Sequence, residues 1–431
     1  MDERIREEIL SKRPTRISML VILLCLLLVV VSIVGFISQA NSSEAWQVFL
    51  VNFVFWTGVA QAGVVFSCAL RIASARWGRP LLRVSEALGS FLPVSFVLLL
   101  ILLLIGKDYA LPYATQHYHH PKEIWLDMDF VFARQVIGLL VLLVLSSIYL
   151  YYSLRQDLGG AGDRVSGICG WIASGWSGEV DRAKCWSKLS KLAPAIALIY
   201  AVVFSVIAWD FMMSLSPEWF STLFGPYYFI ASLLAAMGAT VILSVLVRKH
   251  LHLQDYMTEY QFYDIGKLLL GFSMFWVYLY FSQLLAIWYA NLPEETGFLI
   301  ERIQTEPFRT LSWVVISCCF FFPFVTLLPR TNKIVTPILA FIVTVSFTGL
   351  WLEKFLLITP SFSDELHFGW IHVLVTLGFM AAFVLTFLLF IRTFPIVPLG
   401  DPLFMGKSTH VGHHMPVHDE AEDVPSGAHS H

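Results

Sequence analysis

The sequence predicts an all-α polytopic membrane protein with about ten transmembrane helices. Of its 431 residues, 57% are hydrophobic and only 14% are charged, which is far outside the composition of soluble globular domains. Apolar runs long enough to cross a bilayer occur ten times, over residues 17–39, 46–72, 87–105, 130–152, 193–213, 226–247, 265–290, 310–328, 334–357 and 369–391. A membrane domain is therefore predicted over residues 17–392. No soluble catalytic domain is expected, because phosphate-binding, dinucleotide-binding, zinc-protease and nucleophile-elbow motifs are absent from the sequence.

The placement of basic residues predicts that both termini are cytoplasmic. Most of the 28 Lys and Arg residues lie in the N-terminal segment 1–16 or in alternate loops. The opposite loops hold only Lys107, Lys122, Arg302, Arg309 and Lys354. Because cytoplasmic loops are enriched in Lys and Arg, this bias gives a cytoplasmic N-terminus, an even number of spans and a cytoplasmic tail. The tail, residues 393–431, is rich in histidine and is predicted to be disordered.

An approximate internal repeat predicts two four-helix bundles of the same orientation. The helices that open near Glu86 and Asp264 both begin with a carboxylate and an early glycine, and the spans that end near Asp210 and Glu353 both finish with tryptophan and an acid. Spans 2–5 (residues 46–213) and spans 6–9 (residues 226–357) would form the bundles, with spans 1 and 10 peripheral. Parallel repeats are a known membrane architecture, and chance similarity is the alternative.

The stretch from Asp264 to Thr296 is a membrane-length helix with a polar stripe. Helical periodicity places six of its residues on one face, namely Asp264, Lys267, Gly271, Tyr278, Ser282 and Tyr289. A helix surrounded by lipid needs no such stripe, so we predict that it faces other helices or a wet cavity. Two interpretations remain open, a functional relay and simple hydrogen bonding between helices.

Cysteine and histidine patterns predict that the chain binds no haem, iron–sulfur cluster or other metal. The six cysteines form no C-x-x-C motif and are expected to be small buried residues. A haem held between two helices usually needs a pair of axial ligands from the membrane spans. Only His372 of the thirteen histidines lies well inside a predicted span, and we expect it to be a packed, hydrogen-bonded side chain.

Three motifs resemble the NrfD-like, polysulfide-reductase-type family of integral membrane proteins. They are WGRPLLRVSEA at 77–87, WDFMMSLSPEWFSTLFGPYYF at 209–229 and QLLAIWYANLPEET at 283–296. Within that family they look most like the ActF group, the second quinone-binding subunit of quinol:cytochrome c oxidoreductases of the bacterial alternative complex III type. The resemblance covers nearly all of the membrane part and does not cover the tail.

This resemblance implies a subunit of a respiratory complex in the bacterial cytoplasmic (inner) membrane. It implies ten helices in two bundles, no cofactor bound by this chain, and quinol or menaquinol as the substrate of the complex. The expected partners are membrane lipids, an NrfD-like sister subunit, an extracytoplasmic iron–sulfur subunit and c-type cytochrome subunits. The haem and iron–sulfur centres would belong to these partner subunits, and no nucleic-acid partner is expected.

Two mechanisms remain open for such a subunit, and each has its own candidate residues. Quinone contact would need an acid near the outer face, and the candidates are Asp127, Asp129 and Asp210. A transmembrane proton route would have a cytoplasmic entrance formed by Glu86, Asp264 and Lys267. Its relay would be Tyr278 and Ser282, and its outer groups would be Arg134, Asp210 and Glu353. Asp264 and Lys267 could equally form a structural pair three residues apart. If Asp264 feeds the route, Asp264→Asn should lower quinol turnover or proton translocation.

Two further functions remain as alternatives. The chain could be an independent secondary transporter, which only the parallel repeat supports. It could also be a purely structural anchor for extracytoplasmic redox subunits. The anchor differs from the respiratory subunit in one expectation, because polar substitutions inside the membrane would then leave turnover unchanged.

Overall fold

In a computed structural model, ten helices in the described part of the chain are long and apolar enough to cross a membrane, as the sequence predicts. The structure describes residues 16–115, 122–159, 167–216, 218–363, 365–366 and 368–404. These residues are mostly helical and contain no β-strand. The predicted N-terminal segment up to residue 15 and the histidine-rich tail from residue 405 lie outside the described residues.

The ten spans are numbered in chain order. They are α1 (Arg16–Ser38), α2 (Ser43–Ile72), α3 (Arg79–Ala110), α4 (Met128–Leu158), α5 (Glu179–Phe211), α6 (Phe224–His250), α7 (Glu259–Ala290), α8 (Phe308–Leu327), α9 (Thr336–Ile358) and α10 (Trp370–Thr393). Shorter helices cover Lys122–Leu126, Gly167–Ala173, Pro293–Leu299 and Arg330–Ile334. The ten spans together are called the helical layer, and their ends lie on two sides of it. Contacts between helix ends identify these sides, which are called the Glu86 side and the Asp210 side after a buried acid on each.

Helix boundaries follow local sequence rules. Pro80 and Pro337 occupy the first turns of α3 and α9, where a missing amide hydrogen leaves no bond unmade. Helix α7 stops at Asn291, which takes a left-handed conformation with φ 49°. Inside the spans the helical backbone satisfies its own polar groups, as a bilayer requires.

Helix α2 is the central helix of the layer. Every residue of its most apolar stretch is buried, because α3, α5, α6, α9 and α10 all pack against it. Gly63 allows α3 to approach closely, since a Cβ at this position would lie 2.8 Å from the Ser85 carbonyl oxygen. The Ser85 hydroxyl donates to the Gly63 carbonyl across the same contact at 2.7 Å.

The other helices arrange around α2 in a regular order. Helices α2 and α4 each contact both α3 and α5, and helices α6 and α8 each contact both α7 and α9. Helix α6 also packs against α2 and α5. Helix α1 packs mainly against α10, and only 17% of its apolar stretch is buried.

The predicted start of the disordered tail, at residue 393, is too early. Residues 394–404, called the strap here, fold back onto the Glu86 side of the layer. Ile396, Val397, Leu399 and Phe404 are buried there, and Asp401 is buried among arginines. The strap contains Pro395, Pro398 and Gly400, so its composition resembles a linker and hid its apolar contacts from sequence reasoning.

Candidate functional site

A buried charged cluster lies on the Glu86 side, between helices α2, α3 and α4 and the strap. Three arginines face three carboxylates, and the members of this Glu86 cluster are Arg71, Arg79, Arg83, Glu86, Asp157 and Asp401. Each of the six side chains is at least nine-tenths buried, and the formal charges balance. Burial of so many charges is tolerated only because every one has an opposite partner.

Glu86 is the best-connected acid of the cluster. It pairs with Arg83 one turn earlier on α3, and Arg83 also pairs with Asp157 at the end of α4. Ser67 donates to Glu86 at 3.0 Å and Ser153 donates at 2.8 Å. The carboxylate accepts hydrogen bonds from hydroxyl groups on two neighbouring helices. A proton can therefore pass between the carboxylate and these hydroxyl groups without movement of the helices.

The hydrogen-bonded groups continue from Glu86 into the layer. The Ser67 and Tyr149 hydroxyls are 2.9 Å apart, and Arg71 donates to the Tyr149 oxygen at 3.1 Å. One turn further along α4, Ser146 accepts from Gln61 of α2 at 3.1 Å. The polar groups therefore reach from the strap to the interior of the α2–α5 group.

Beyond Ser146 the lining becomes apolar. The next inward-facing residues of α4 are Leu142 and Leu139, both buried, and polar groups resume at Gln135. Eleven residues of helix separate Ser146 from Gln135, about 16 Å along the axis. At intermediate depths, the buried hydroxyls of Thr57 and Ser95 have no hydrogen-bond partner within the described residues. Such hydroxyls are places where a buried water molecule can bind.

A second buried cluster closes the Asp210 side of the same helices. Arg134 holds Asp210 with two hydrogen bonds of 2.7 and 2.6 Å, and Gln135 and Trp125 donate at 2.5 and 3.1 Å. The Arg134 guanidinium also lies 4.1 Å from the centre of the Trp125 ring. All four donors point at one carboxylate, so the orientation of the Asp210 side chain is fixed. Two of the three predicted outer groups, Arg134 and Asp210, are thus in direct contact.

A third cluster surrounds Glu353 among helices α6, α7 and α9. Trp276 donates to one Glu353 oxygen at 3.0 Å, and Lys354 donates to the other at 2.5 Å. A cavity of about 40 Å³ lies beside Glu353, and aromatic residues make up much of its wall, with Tyr227 and Tyr280 among them. A neighbouring cavity of similar size shares these two tyrosines.

Arg302 forms part of the cavity wall from the loop between α7 and α8. It donates to the Leu357 carbonyl at 2.9 Å, while its Nε has no hydrogen-bond partner within the described residues. Burial lowers the pKa of Arg302 to about 9. The side chain is therefore still a cation at neutral pH, and it offers one unused donor at the edge of the aromatic cavity.

The polar stripe of α7 does not face the interior of this chain. Tyr278 is 62% exposed and Tyr289 is 87% exposed, and a Cβ on Gly271 would meet no atom within 4 Å. Asp264 and Lys267 pair with each other at 2.6 Å, with the lysine half exposed. The stripe does not pack against other helices of this chain, because hydrophobic α7 residues such as Trp276 and Leu269 occupy the inward face. Asp264 lies on this outward face, whereas the buried Glu353 contacts Trp276 on the inward face of α7.

The remaining candidate residues occupy separate places. Asp127 caps α4 by accepting from the Phe130 amide at 3.0 Å, and both Asp127 and Asp129 are exposed. Ser282 is partly exposed beside Tyr278 on α7. His372 is buried near the start of α10, where its Nδ1 accepts from the Gly369 amide at 3.2 Å, as expected for a packed histidine.

Sequence reasoning missed Asp157 and Asp401 of the Glu86 cluster and the neighbouring hydroxyl groups of Tyr149 and Ser153. Asp157, Tyr149 and Ser153 are spaced along one face of α4, which places them together toward the same neighbour. That spacing was available in the sequence. Asp401 had no comparable signal, because only the folded strap brings it to Arg71 and Arg79.

We expect the purified subunit, separated from any partner, to show neither a haem Soret band nor bound iron. Among the described residues, no group of three or more His, Cys, Asp or Glu side chains is arranged to hold a metal ion. None of the six cysteines forms a disulfide bond, and all except Cys318 are buried. Absorption spectroscopy and iron analysis check this prediction. A stoichiometric haem signal would contradict it and would make His372 the first residue to replace.

Comparison with known proteins adds no relative. No protein-family model matches the chain, and no curated protein matches it. The ten candidate spans indicate that the chain is a multi-pass membrane protein in contact with lipid. The functional assignment of the buried clusters accordingly depends on their geometry and on the motifs at 77–87, 209–229 and 283–296.

Proposed function

We propose that this chain is an integral membrane subunit of a respiratory quinol:cytochrome c (or other acceptor) oxidoreductase of the alternative complex III type. In this proposal the chain has no redox centre of its own and provides part of a proton route across the bacterial inner membrane. The observation that carries the proposal is the buried, hydrogen-bonded set of ionisable groups around Glu86. Ionisable residues inside membrane spans are rare, and those that occur commonly belong to proton relays and ion pathways.

The route would run through the interior of helices α2–α5. It would enter beside the strap, reach Glu86, and pass along the Ser67 and Tyr149 hydroxyls toward Gln61 and Ser146. Water bound at Thr57 and Ser95 would bridge the apolar stretch of α4, and the Asp210 cluster would set the electrostatic potential at the exit. Asp264 and Lys267 are not on this route, since they lie on the face of α7 that points away from the other helices of the chain.

The packing order of the helices supports two four-helix bundles, α2–α5 and α6–α9. Each set is closed by contacts between its first and last helices, and α1 and α10 lie outside both sets. The parallel repeat deduced from the sequence has the same division. We propose the first bundle as the proton-conducting one, because the second bundle carries no comparable line of ionisable groups between Asp264 and Glu353 within the described residues.

We expect reporter fusions to place the Glu86 side in the cytoplasm. A fusion after Arg330 should report cytoplasm and one after Glu295 should report the outside, because basic residues are concentrated in the loops of the Glu86 side. Fusions after Asp255 and after Ser221 serve as a second pair, one on each side. Reversed signals at both pairs would contradict the proposed orientation.

Quinone contact is a second role that one observation favours. The cavity beside Glu353 combines aromatic walls, a buried carboxylate and the unused Arg302 donor, which together suit a planar ring bearing oxygen atoms. Asp127 and Asp129 are exposed, and the oxygens of Asp210 are already occupied by four donors. Glu353 is therefore a better candidate for quinone contact than these three acids.

Purification of the native assembly through an affinity tag on this chain tests the proposed function. The expected result is co-purification with c-type cytochrome and iron–sulfur subunits and a quinol-dependent reduction of an acceptor. A stable monomer that takes up a solute in liposomes would instead identify a secondary transporter. If the complex forms but no interior substitution changes turnover, the chain is an anchor.

A further inference from the structure

The outward face of α7 differs from the exposed surfaces of α1 and α5. Helix α1 exposes almost only leucine, valine and isoleucine, and α5 exposes Leu198 and Val202. Helix α7 exposes apolar residues as well, such as Phe275 and Phe281, but its surface also includes Gly271, Tyr278 and the Asp264–Lys267 ion pair, with Trp288 and Tyr289 toward its end. Small residues are enriched where transmembrane helices pack together, whereas tryptophan and tyrosine near a helix end suit the membrane–water interface.

Tyr278 carries the strongest indication of a protein neighbour. It lies fourteen residues beyond Asp264, about 21 Å along the helix axis, and twelve residues before the end of α7, about 18 Å. Its hydroxyl is thus near the middle of the bilayer and has no hydrogen bond to the described part of the chain. Lipid tails offer no acceptor, and an unsatisfied polar group in hydrocarbon is unfavourable. A protein neighbour with an acceptor at this depth would satisfy it.

Gly271 provides the second indication. It lies seven residues before Tyr278, two helical turns along the same face, and the space beyond its Cα is open. A glycine on an exposed helix face lets a second helix approach until the backbones are close. Gly271 and Tyr278 therefore combine a close-approach position with a polar anchor.

The charges at the Asp264 end favour a different protein over a second copy of this chain. Lys267 and Arg330 both lie against the Tyr263 ring, at 4.6 and 5.5 Å, and both are exposed. Asp264 is the acid paired with Lys267 there, so the two positive charges of Arg330 and Lys333 remain at this ring. Two copies packed through this face would bring like charges together, whereas a partner with an acid at this depth would be attracted.

We propose that the face of α7 formed by Asp264, Lys267, Gly271, Tyr278 and Ser282 is the docking surface for a transmembrane helix of a different membrane protein. That helix carries a small residue opposite Gly271, a hydrogen-bond acceptor opposite Tyr278 and an acid near Arg330. The surface itself is independent of the proposed proton route. Only the partner's identity as another subunit of the complex rests on the proposed function.

Site-specific photo-crosslinking in native membranes tests this surface. A benzophenone amino acid replaces Tyr278 in the full-length chain, and the matched control carries it at Val202, which is 65% exposed on α5. The expected result is an adduct between position 278 and a different membrane polypeptide, above the background at position 202. An adduct only with lipid, or with a second copy of this chain, would overturn the proposal.

A second pair of variants measures whether the contact is needed for association. Gly271→Trp should abolish co-purification of the cross-linked polypeptide, because the new ring fills the space that a partner helix would occupy. Val202→Trp adds the same ring to the control face and should leave co-purification unchanged. Both variants should fold, since neither position packs tightly inside the chain. Retained association in Gly271→Trp would count against the docking surface, whatever the quinol turnover of the complex.

Discussion

Replacing Arg134 with methionine should lower the free energy of unfolding by about 3–5 kcal/mol, the effect typical of breaking a buried ion pair. The variant leaves Asp210 as a buried carboxylate with only Gln135 and Trp125 as donors. The Trp125 ring also loses its contact with the guanidinium. Unfolding of the purified protein in mixed detergent micelles, followed by intrinsic tryptophan fluorescence, measures this change.

The double variant Arg134→Met, Asp210→Leu is the control for this prediction. It removes the carboxylate together with its partner, so most of the lost stability should return. Recovery of stability in the double variant would assign the loss in the single variant to the unpaired Asp210 carboxylate. The loss would not be explained by the lost contact between Arg134 and the Trp125 ring, because both variants lack that contact. If the single variant unfolds like the original protein, Arg134 and Asp210 do not form the buried pair described above.

Replacing Glu86 with glutamine should lower quinol turnover of the intact complex by about tenfold or more, because a positioned acid–base group typically contributes roughly 10²–10⁴-fold. Glutamine keeps the size of the side chain and can still accept from Ser67 and Ser153. What it loses is the ionisable proton. Turnover is measured with the quinol substrate under steady-state conditions, with subunit content checked by gel electrophoresis.

Two further variants separate proton transfer from structural support at Glu86. Glu86→Asp retains an ionisable carboxylate and should restore part of the turnover. Ser85→Ala removes the neighbouring hydroxyl that donates to the Gly63 carbonyl and should leave turnover near the original value. An equal loss in Glu86→Asp and Glu86→Gln, with Ser85→Ala also impaired, would indicate that this helix contact serves packing alone.

The number of spans was predictable from the sequence, whereas the partners of the buried charges were not. A long apolar run has one stable form in a bilayer, so α1–α10 follow from composition alone. Ion pairs such as Arg83 with Asp157 join distant parts of the chain, and periodicity carries no information about which helices become neighbours. The strap shows the same limit, since its short apolar segment lacks any helical period.

The polar stripe of α7 shows why a pattern on one helix can mislead. Periodicity correctly places Asp264, Lys267, Gly271 and Tyr278 on one face. It does not say whether that face turns inward or outward, because an interface with another protein and an interior cavity have similar composition. In the folded chain, Trp276 and Ser273 on the other faces of α7 make the interior contacts.

The most direct test of the proton route is to measure proton translocation by the intact complex in liposomes. The Glu86→Gln and Asp264→Asn variants are compared under the same conditions. The measured quantity is the number of protons taken up per electron transferred from quinol to acceptor. The route through α2–α5 predicts a lower ratio in Glu86→Gln and an unchanged ratio in Asp264→Asn. An unchanged ratio in Glu86→Gln, or a loss confined to Asp264→Asn, would contradict it.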